Sequence, residues 1–197
     1  MNIAIVGATG NVGRRLIEVL EKKQFPIDEL FLIASSKSVG KKINFKGKEH
    51  SIHDLESFNF SNVKIAFFSA GSAIADKWAP IVAQKTIVID NSKFFRMDPD
   101  VPLIVPEVNS KDLKNYKKKN IIANANCSVI PLVVALKPLH DLYKIKRIVA
   151  STYQSVSGAG KAPMDELLSQ TKDFFEGKEL NSKFFTKQIA FNAIPHI

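Results

Sequence analysis

Gly7-Ala8-Thr9-Gly10-Asn11-Val12-Gly13 stands directly after the apolar run Asn2-Ile3-Ala4-Ile5-Val6. It leads into a segment, Asn11 to Lys23, whose apolar residues Val12, Leu16, Ile17, Val19 and Leu20 recur at helical spacing. A buried strand, a glycine turn and an amphipathic helix in immediate succession open a parallel α/β sheet. Each glycine has a physical task there. Gly7 permits the tight turn, Gly10 lets the backbone approach a pyrophosphate, and Gly13 lets the helix pack closely on the strand. The amides at the helix N-terminus would face the anion. The spacing is G-x-x-G-x-x-G rather than the G-x-G-x-x-G of many dinucleotide sites, so a purely structural turn is the competing reading.

Outward from that turn, strand and helix patterns alternate. Pro26 is expected to close the first helix, and Leu30 to Ala34 is a second buried-type strand. Lys64 to Phe68 and Thr86 to Asp90 read as further strands on either side of a helix over Ala73 to Gln84. Ile43 to Phe45 and Glu49 to Ile52 form a small hairpin with Gly47 at its turn. Ile121 to Ala123 is the last strand of the series, and Val129 to Tyr143 is a long helix with Pro131 tolerated in its first turn. Continuous apolar strands separated by helices predict a doubly wound parallel sheet covered on both faces. The pattern then changes: Ile145 to Gln154 reads as a longer alternating strand, Gly160 to Phe175 as a helix, and Asn181 to Ile197 shows no period. The expected organisation is a first domain over residues 1–130 and part of a second, α+β domain over 131–197, with no repeat and no low-complexity tract.

Composition narrows the class. The chain has 197 residues, 45% hydrophobic and 24% charged, which is globular rather than disordered. One Cys, 4 His and no C-x-x-C pair exclude a disulfide framework and argue against a metal site. No apolar stretch approaches the roughly 20 residues of a membrane span, and the N-terminus lacks a basic leader, so a cytoplasmic protein is expected. The net charge of +9 comes from 28 Lys+Arg against 19 Asp+Glu. Its lysines are scattered over Lys41-Lys42, Lys46, Lys48 and Lys117-Lys118-Lys119 without interleaved aromatics, which favours a solvated surface over nucleic-acid binding.

Two stretches carry chemistry. At the end of the second strand, where an NAD site usually has Asp or Glu for the ribose 2′-hydroxyl, the sequence is Ala34-Ser35-Ser36-Lys37-Ser38. Hydroxyls and one cation suit a 2′-phosphate, so NADP is preferred over NAD, with a solvent-directed Lys37 as the alternative. Asn124-Ala125-Asn126-Cys127-Ser128 joins the strand at Ile121 to the helix beginning near Val129. A thiol at a helix N-terminus feels the positive end of the dipole, which favours the thiolate, so Cys127 is a candidate nucleophile. The alternative is a small buried hydrophobe.

Several motifs in order resemble those of bacterial aspartate-semialdehyde dehydrogenase. They are Gly7 to Gly13, Phe68-Ser-Ala-Gly71, Val88-Ile-Asp-Asn-Ser92 with Phe95-Arg96, Val101 to Asn109, Asn126-Cys-Ser128, Ser151 to Gly160, and Phe191-Asn-Ala-Ile-Pro195. The resemblance implies an NADP-binding Rossmann-type domain followed by a dimerisation and catalytic domain. It also implies reductive dephosphorylation of L-aspartyl 4-phosphate to aspartate semialdehyde with NADPH, on the route to lysine, threonine and methionine. Carried over by motif, Cys127 is the nucleophile and Gln154 contacts substrate and helps position the thioester. Arg96 and Asn126 hold phosphate, Arg by its planar fork. Gly7, Thr9, Gly10, Asn11, Val12 and Gly13 with Lys37 and Ser38 bind NADP, and Ser157-Gly158 lie near the nicotinamide. Without the family, Ser157 to Gly160 reads more readily as a loop before a helix, and Arg96 as a surface arginine paired with Asp98.

The resembled family is longer than this chain, and its general-base histidine and the arginine that binds the substrate carboxylate have no counterpart here. His50, His53, His140 and His196 match no catalytic position. A truncated or split half-enzyme, completed by a second chain, is therefore expected to expose apolar surface. A remnant that binds NADP or a partner without catalysis is the alternative, and the N-acetyl-glutamyl-phosphate reductase type, with the same Cys chemistry, is another. Full-length members are expected to be homodimers.

Overall fold

The computed structural model describes residues 1–195, so His196 lies outside the described residues. Two compact units divide the chain, Met1–Ala150 and Ser151–Ile197.

The first unit is built on β1 (Ile3–Val6), β2 (Leu30–Ala34), β3 (Lys42–Phe45), β4 (Lys48–Asp54), β5 (Ile65–Phe68), β6 (Ile87–Asp90), β7 (Leu103–Ile104) and β8 (Ile121–Asn124). They form one sheet in the order β3-β4-β2-β1-β5-β6-β8-β7, parallel everywhere except the β3–β4 hairpin. Helices α1 (Asn11–Lys22) and α2 (Ser72–Ala83) lie on it, and a short α3 (Pro106–Asn109) and the long α4 (Val129–Tyr143) follow β7 and β8 respectively. Strand order reverses between β1, which leads to β2, and β5, which leads to β6. Open α/β sheets bind ligands at such a switch point, outside the carboxyl ends of the strands. Register keeps those ends level: Val6 sits beside Ile33 and Phe68, Phe68 beside Asp90, and Asp90 beside Ala123.

The two faces bury different clusters. Ala66, Phe68, Val88 and Ile121 pack with Ala75, Ala79 and Val82 of α2, where small residues let the helix lie close. Ile3, Ile5, Leu30 and Leu32 pack with Ile17 and Leu20 of α1. Beyond the reach of α1, that second face continues as Ile65, Phe67, Ile87, Ile89 and Ile122, all only half-buried. An apolar cavity of about 410 Å³ opens there, lined by Ile65, Ile87, Ile89, Ile104, Leu113 and Tyr116 among others. Cover on both faces, expected from the strand pattern, is thus complete over only part of the sheet.

Other differences have local causes. Pro26 does not close α1; Gln24, left-handed at φ 49°, does. Phe25 N–H reaches the Leu20 carbonyl and Gln24 N–H the Glu21 carbonyl, which makes a Schellman stop. The hairpin turns through Lys46 (φ 51°) and Gly47 (φ 75°), both left-handed as a two-residue type I′ loop requires. It is not a separate flap, because β4 also pairs in parallel with β2 and extends the main sheet. Strand β7 had no sequence signal, since Pro102 and Pro106 confine it to two residues at an edge. Residues 145–154, expected as a strand, have no regular structure and are almost wholly exposed. A strand needs a neighbour for its backbone groups, and among the described residues no strand pairs with it.

In the second unit, α5 (Lys161–Phe175) organises the irregular stretch that follows it. Gln170, 1% exposed, accepts the N–H groups of Ile189 and Ala190 (2.9 and 3.1 Å) and donates to the Asn181 carbonyl (3.0 Å). Glu166 accepts N–H groups from Lys183, Phe184 and Phe185. Segment 181–190 has no periodicity because its backbone groups are satisfied by two side chains of one helix instead of by a ladder.

Candidate functional site

The carboxyl ends of β1, β2, β5, β6 and β8 carry the residues singled out in the first unit. At β1, Gly7 has φ +88° and a Cβ there would stand 2.5 Å from the Ser69 carbonyl oxygen, so the loop after β5 closes directly on the glycine turn. A Cβ on Gly13 would overlap the Gly7 carbonyl oxygen. Both glycines are therefore demanded by the fold itself. Gly10 is different: it caps α1 at φ −76°, and a Cβ would meet only the Gly7 carbonyl oxygen, at 3.3 Å. Its backbone conformation suits any residue, so glycine there leaves space over the start of a helix that has no side-chain cap. A diphosphate needs such a space and such amides. Thr9, Asn11 and Val12 flank it, and Arg14 Nε donates to the Thr9 carbonyl (3.2 Å).

After β2, residues Ser36–Ser38 make a 3-10 turn in which Lys37 is exposed and Ser38 is 9% exposed. The exposed cation is thus in a position to meet a ligand, while the Ser38 hydroxyl is largely enclosed.

After β6 and β8 lies a polar cluster. Asp90 is completely buried; its carboxylate accepts the Ser92 N–H (3.0 Å) and hydroxyl (2.7 Å). Burial pushes its pKa up, against the bonds from Ser92 and the nearby Arg96 charge, which pull it down. Arg96 is half-buried and does not pair with Asp98. Its Nε donates to the Asn124 carbonyl (2.9 Å) and its Nη2 to the Asn91 carbonyl (3.3 Å). Asp98 instead binds Lys119 (2.7 Å), whose ammonium and hydrogen bond hold the carboxyl below its ordinary range. The Asn124 amide donates to the Asn91 side-chain oxygen at 2.6 Å. Neither Asn91 nor Asn124 was marked as a site residue by the sequence. The available signal was a polar residue at the carboxyl end of an otherwise apolar strand.

Cys127 is exposed, which removes the buried-hydrophobe reading. The Asn126 carbonyl accepts the N–H groups of Val129 and Ile130 (3.0 Å each), and its side-chain oxygen accepts the Ser128 N–H (2.8 Å). Asn126 thus caps the turn that becomes α4, and Cys127 occupies the first position of that turn. This capping engages the Asn126 oxygen and leaves its amide NH₂ as a donor.

Gln154, Ser157 and Gly158 lie in the second unit. A Cβ on Gly158 would stand 2.9 Å from Gln154 Nε2, so the glutamine side chain lies over the glycine. Ser155 caps the short turn Val156–Ala159, with its hydroxyl 3.0 Å from that of Ser157.

Comparison with known proteins supplies the family. Residues 2–116 match the family described as semialdehyde dehydrogenase, NAD binding domain, and residues 136–197 match semialdehyde dehydrogenase, dimerisation domain. The aspartate-semialdehyde dehydrogenase of Aquifex aeolicus is 56% identical over 99% of this chain, which spans 58% of that protein's length. Among solved structures, aspartate semialdehyde dehydrogenase II from Vibrio cholerae complexed with ASA is 51% identical, with a TM-score of 0.96 over 100% of this chain and 59% of that one. Aspartate semialdehyde dehydrogenase with NADP from Candida albicans is 29% identical, with a TM-score of 0.54 over 72% of this chain and 47% of that one. With a glycine turn, a capped cysteine and two family domains matched in order, the chain belongs to the semialdehyde dehydrogenase family.

Proposed function

We propose that this chain supplies the nucleophile, the phosphate-binding groups and the cofactor-binding turn for NADPH-dependent reduction of L-aspartyl 4-phosphate to aspartate semialdehyde. The observation that carries this reading is Cys127, exposed at the first position of a helical turn that Asn126 caps. The sulfur attacks the acyl carbon, the bond from that carbon to the phosphate oxygen breaks, and inorganic phosphate leaves with the bonding pair. Arg96 and the Asn126 amide bind the phosphoryl oxygens and stabilise the departing anion. Gln154 positions the resulting thioester. NADPH, when bound, supplies the hydride that turns a thioester into an aldehyde. The chain's own part is to hold its diphosphate at Gly7, Thr9, Gly10, Asn11, Val12 and Gly13 and its 2′-phosphate at Lys37 and Ser38. Ser157 and Gly158 border the nicotinamide.

In this reading residues 1–130 are the NADP-binding domain and 131–197 the first part of the dimerisation and catalytic domain, within a cytoplasmic homodimer. Among the described residues no helix is long and apolar enough to cross a membrane. The half-reaction tests the reading directly. Incubated with L-aspartyl 4-phosphate, the chain should release phosphate and gain an aspartyl adduct on Cys127, visible by mass spectrometry and removed by hydroxylamine. Cys127→Ser should show neither. Equal phosphate release by the native chain and Cys127→Ser, with no adduct, would refute it. N-acetyl-glutamyl phosphate as the acyl donor separates the two reductase types.

A further inference from the structure

The groups around Arg96 define how its guanidinium is held. Nε and Nη2 lie on one edge of the fork, and both are bound to backbone carbonyls, those of Asn124 at 2.9 Å and Asn91 at 3.3 Å. Asn124 ends β8 and Asn91 directly follows the end of the neighbouring β6, and their side chains are joined by the 2.6 Å bond from the Asn124 amide to the Asn91 oxygen. Among the described residues, Nη1 meets no protein acceptor. The protein thus uses the side-on edge of the arginine and leaves the end-on Nη1–Nη2 edge, the one that takes two oxyanion oxygens at once.

Such a clamp has a purpose. A long arginine side chain loses rotamer freedom when it grips a ligand, and a guanidinium already fixed by its other edge avoids most of that loss. The two carbonyls can do this only while the strand ends carrying them keep their spacing. The Asn91–Asn124 bond spans that gap where the β6–β8 ladder ends.

We propose that Asn91 and Asn124 are positioning residues: their mutual side-chain bond fixes the two carbonyls that lock Arg96, presenting its end-on edge to a phosphoryl oxyanion. The oxyanion part rests on the function proposed above; the clamp does not.

The test uses the ¹⁵N-labelled chain, in which four arginines keep the Nε–H spectrum simple. Arg96 Nε–H should exchange with water at least tenfold more slowly than that of Arg15, whose side chain is 77% exposed. Asn91→Ala and Asn124→Ala should each speed Arg96 exchange about tenfold. The double variant should add little to either single, because one bond is lost in all three. Inorganic phosphate should shift the Arg96 signal in the native chain and bind about tenfold more weakly in both single variants, with backbone amide signals outside residues 88–128 unmoved. A merely structural role would spread the change across those amides. Arg96 exchange as fast as Arg15 in the native chain, or single variants that leave exchange unchanged, would overturn the clamp, and the native measurement decides even where a variant does not fold. Phosphate that fails to shift Arg96 while exchange behaves as expected refutes the phosphate role of Arg96 and upholds the clamp. Phosphate binding that depends on Arg96 but is indifferent to both asparagines does the reverse.

Discussion

The Asp90 carboxylate is wholly buried at the carboxyl end of β6, and its pKa is raised chiefly by that burial. The sign of the resulting pH dependence follows by linkage. A carboxyl whose folded pKa exceeds its unfolded value binds more protons folded than unfolded between those two values, so folding stability falls as pH rises through that window. Asp90→Asn keeps an acceptor for the Ser92 N–H and has no proton to lose. The expected outcome is that native stability, measured by urea unfolding, declines relative to Asp90→Asn from the ordinary aspartate range upward and levels off above the folded pKa. Reading such a residue from sequence was not possible, because an aspartate ending a strand looks the same whether it faces water or the core. Cys127 was legible in part: its place before α4 made it a candidate nucleophile with a buried hydrophobe as the alternative, and only its exposure removes that alternative. The tight turn at Gly7 was legible from its strand-to-helix context, and its φ of +88° is that turn. Gly10 and Gly13 were equally legible by spacing, yet only the fold separates Gly13, where a Cβ would overlap the Gly7 carbonyl oxygen, from Gly10, where a Cβ would meet that oxygen only at 3.3 Å.

At the level of elements, periodicity located α1, α2 and α5 and the buried strands within a residue or two, since each buries residues whose spacing is written in the sequence, and α4 was located by its apolar length although none of its residues is buried. It failed where backbone groups find partners outside a regular pattern. Segment 181–190 depends on Gln170 and Glu166, a dependence that no local pattern records. Burial raises the Glu166 pKa, but the N–H groups of Phe184, Lys183 and Phe185 outweigh it and hold the carboxyl below its ordinary value. Gln170→Leu keeps the volume and removes the acceptor shared by Ile189 and Ala190, leaving two buried N–H groups at a cost of roughly 1–3 kcal/mol each. Hydrogen exchange at Ile189 and Ala190 should accelerate about tenfold or more in this variant, while the strand amides of β1 and β5 stay protected. Unchanged exchange would mean that α5 does not anchor the segment. Residues 145–154 teach a related lesson: alternation describes how a strand would sit in a sheet and says nothing of whether a neighbouring strand is there to receive it.

For the molecule as a whole, the expectation of exposed apolar surface is met in two places. One is the half-buried isoleucine face over β5, β6 and β8. The other is α4, which is apolar along its length and has no buried residue, with Leu142 75% and Tyr143 77% exposed. Contiguous apolar surface of this kind takes up apolar dyes and favours association. The chain should therefore enhance the fluorescence of an anilinonaphthalene sulfonate probe in its native state and sediment as larger species as concentration rises. Dye fluorescence no stronger than with a fully covered globular protein would contradict the exposed face. The charge of +9 opposes such association only weakly once salt screens it. Cys127 has one more consequence, an optical one. It is the chain's single cysteine and is exposed, and Trp78 of α2 is the single tryptophan, packed against the core of the same unit. A thiol-reactive acceptor dye on the one and the indole of the other make a distance ruler that needs no engineered residue. It would read out, through energy transfer, the separation of α2 from the start of α4 as the first unit unfolds.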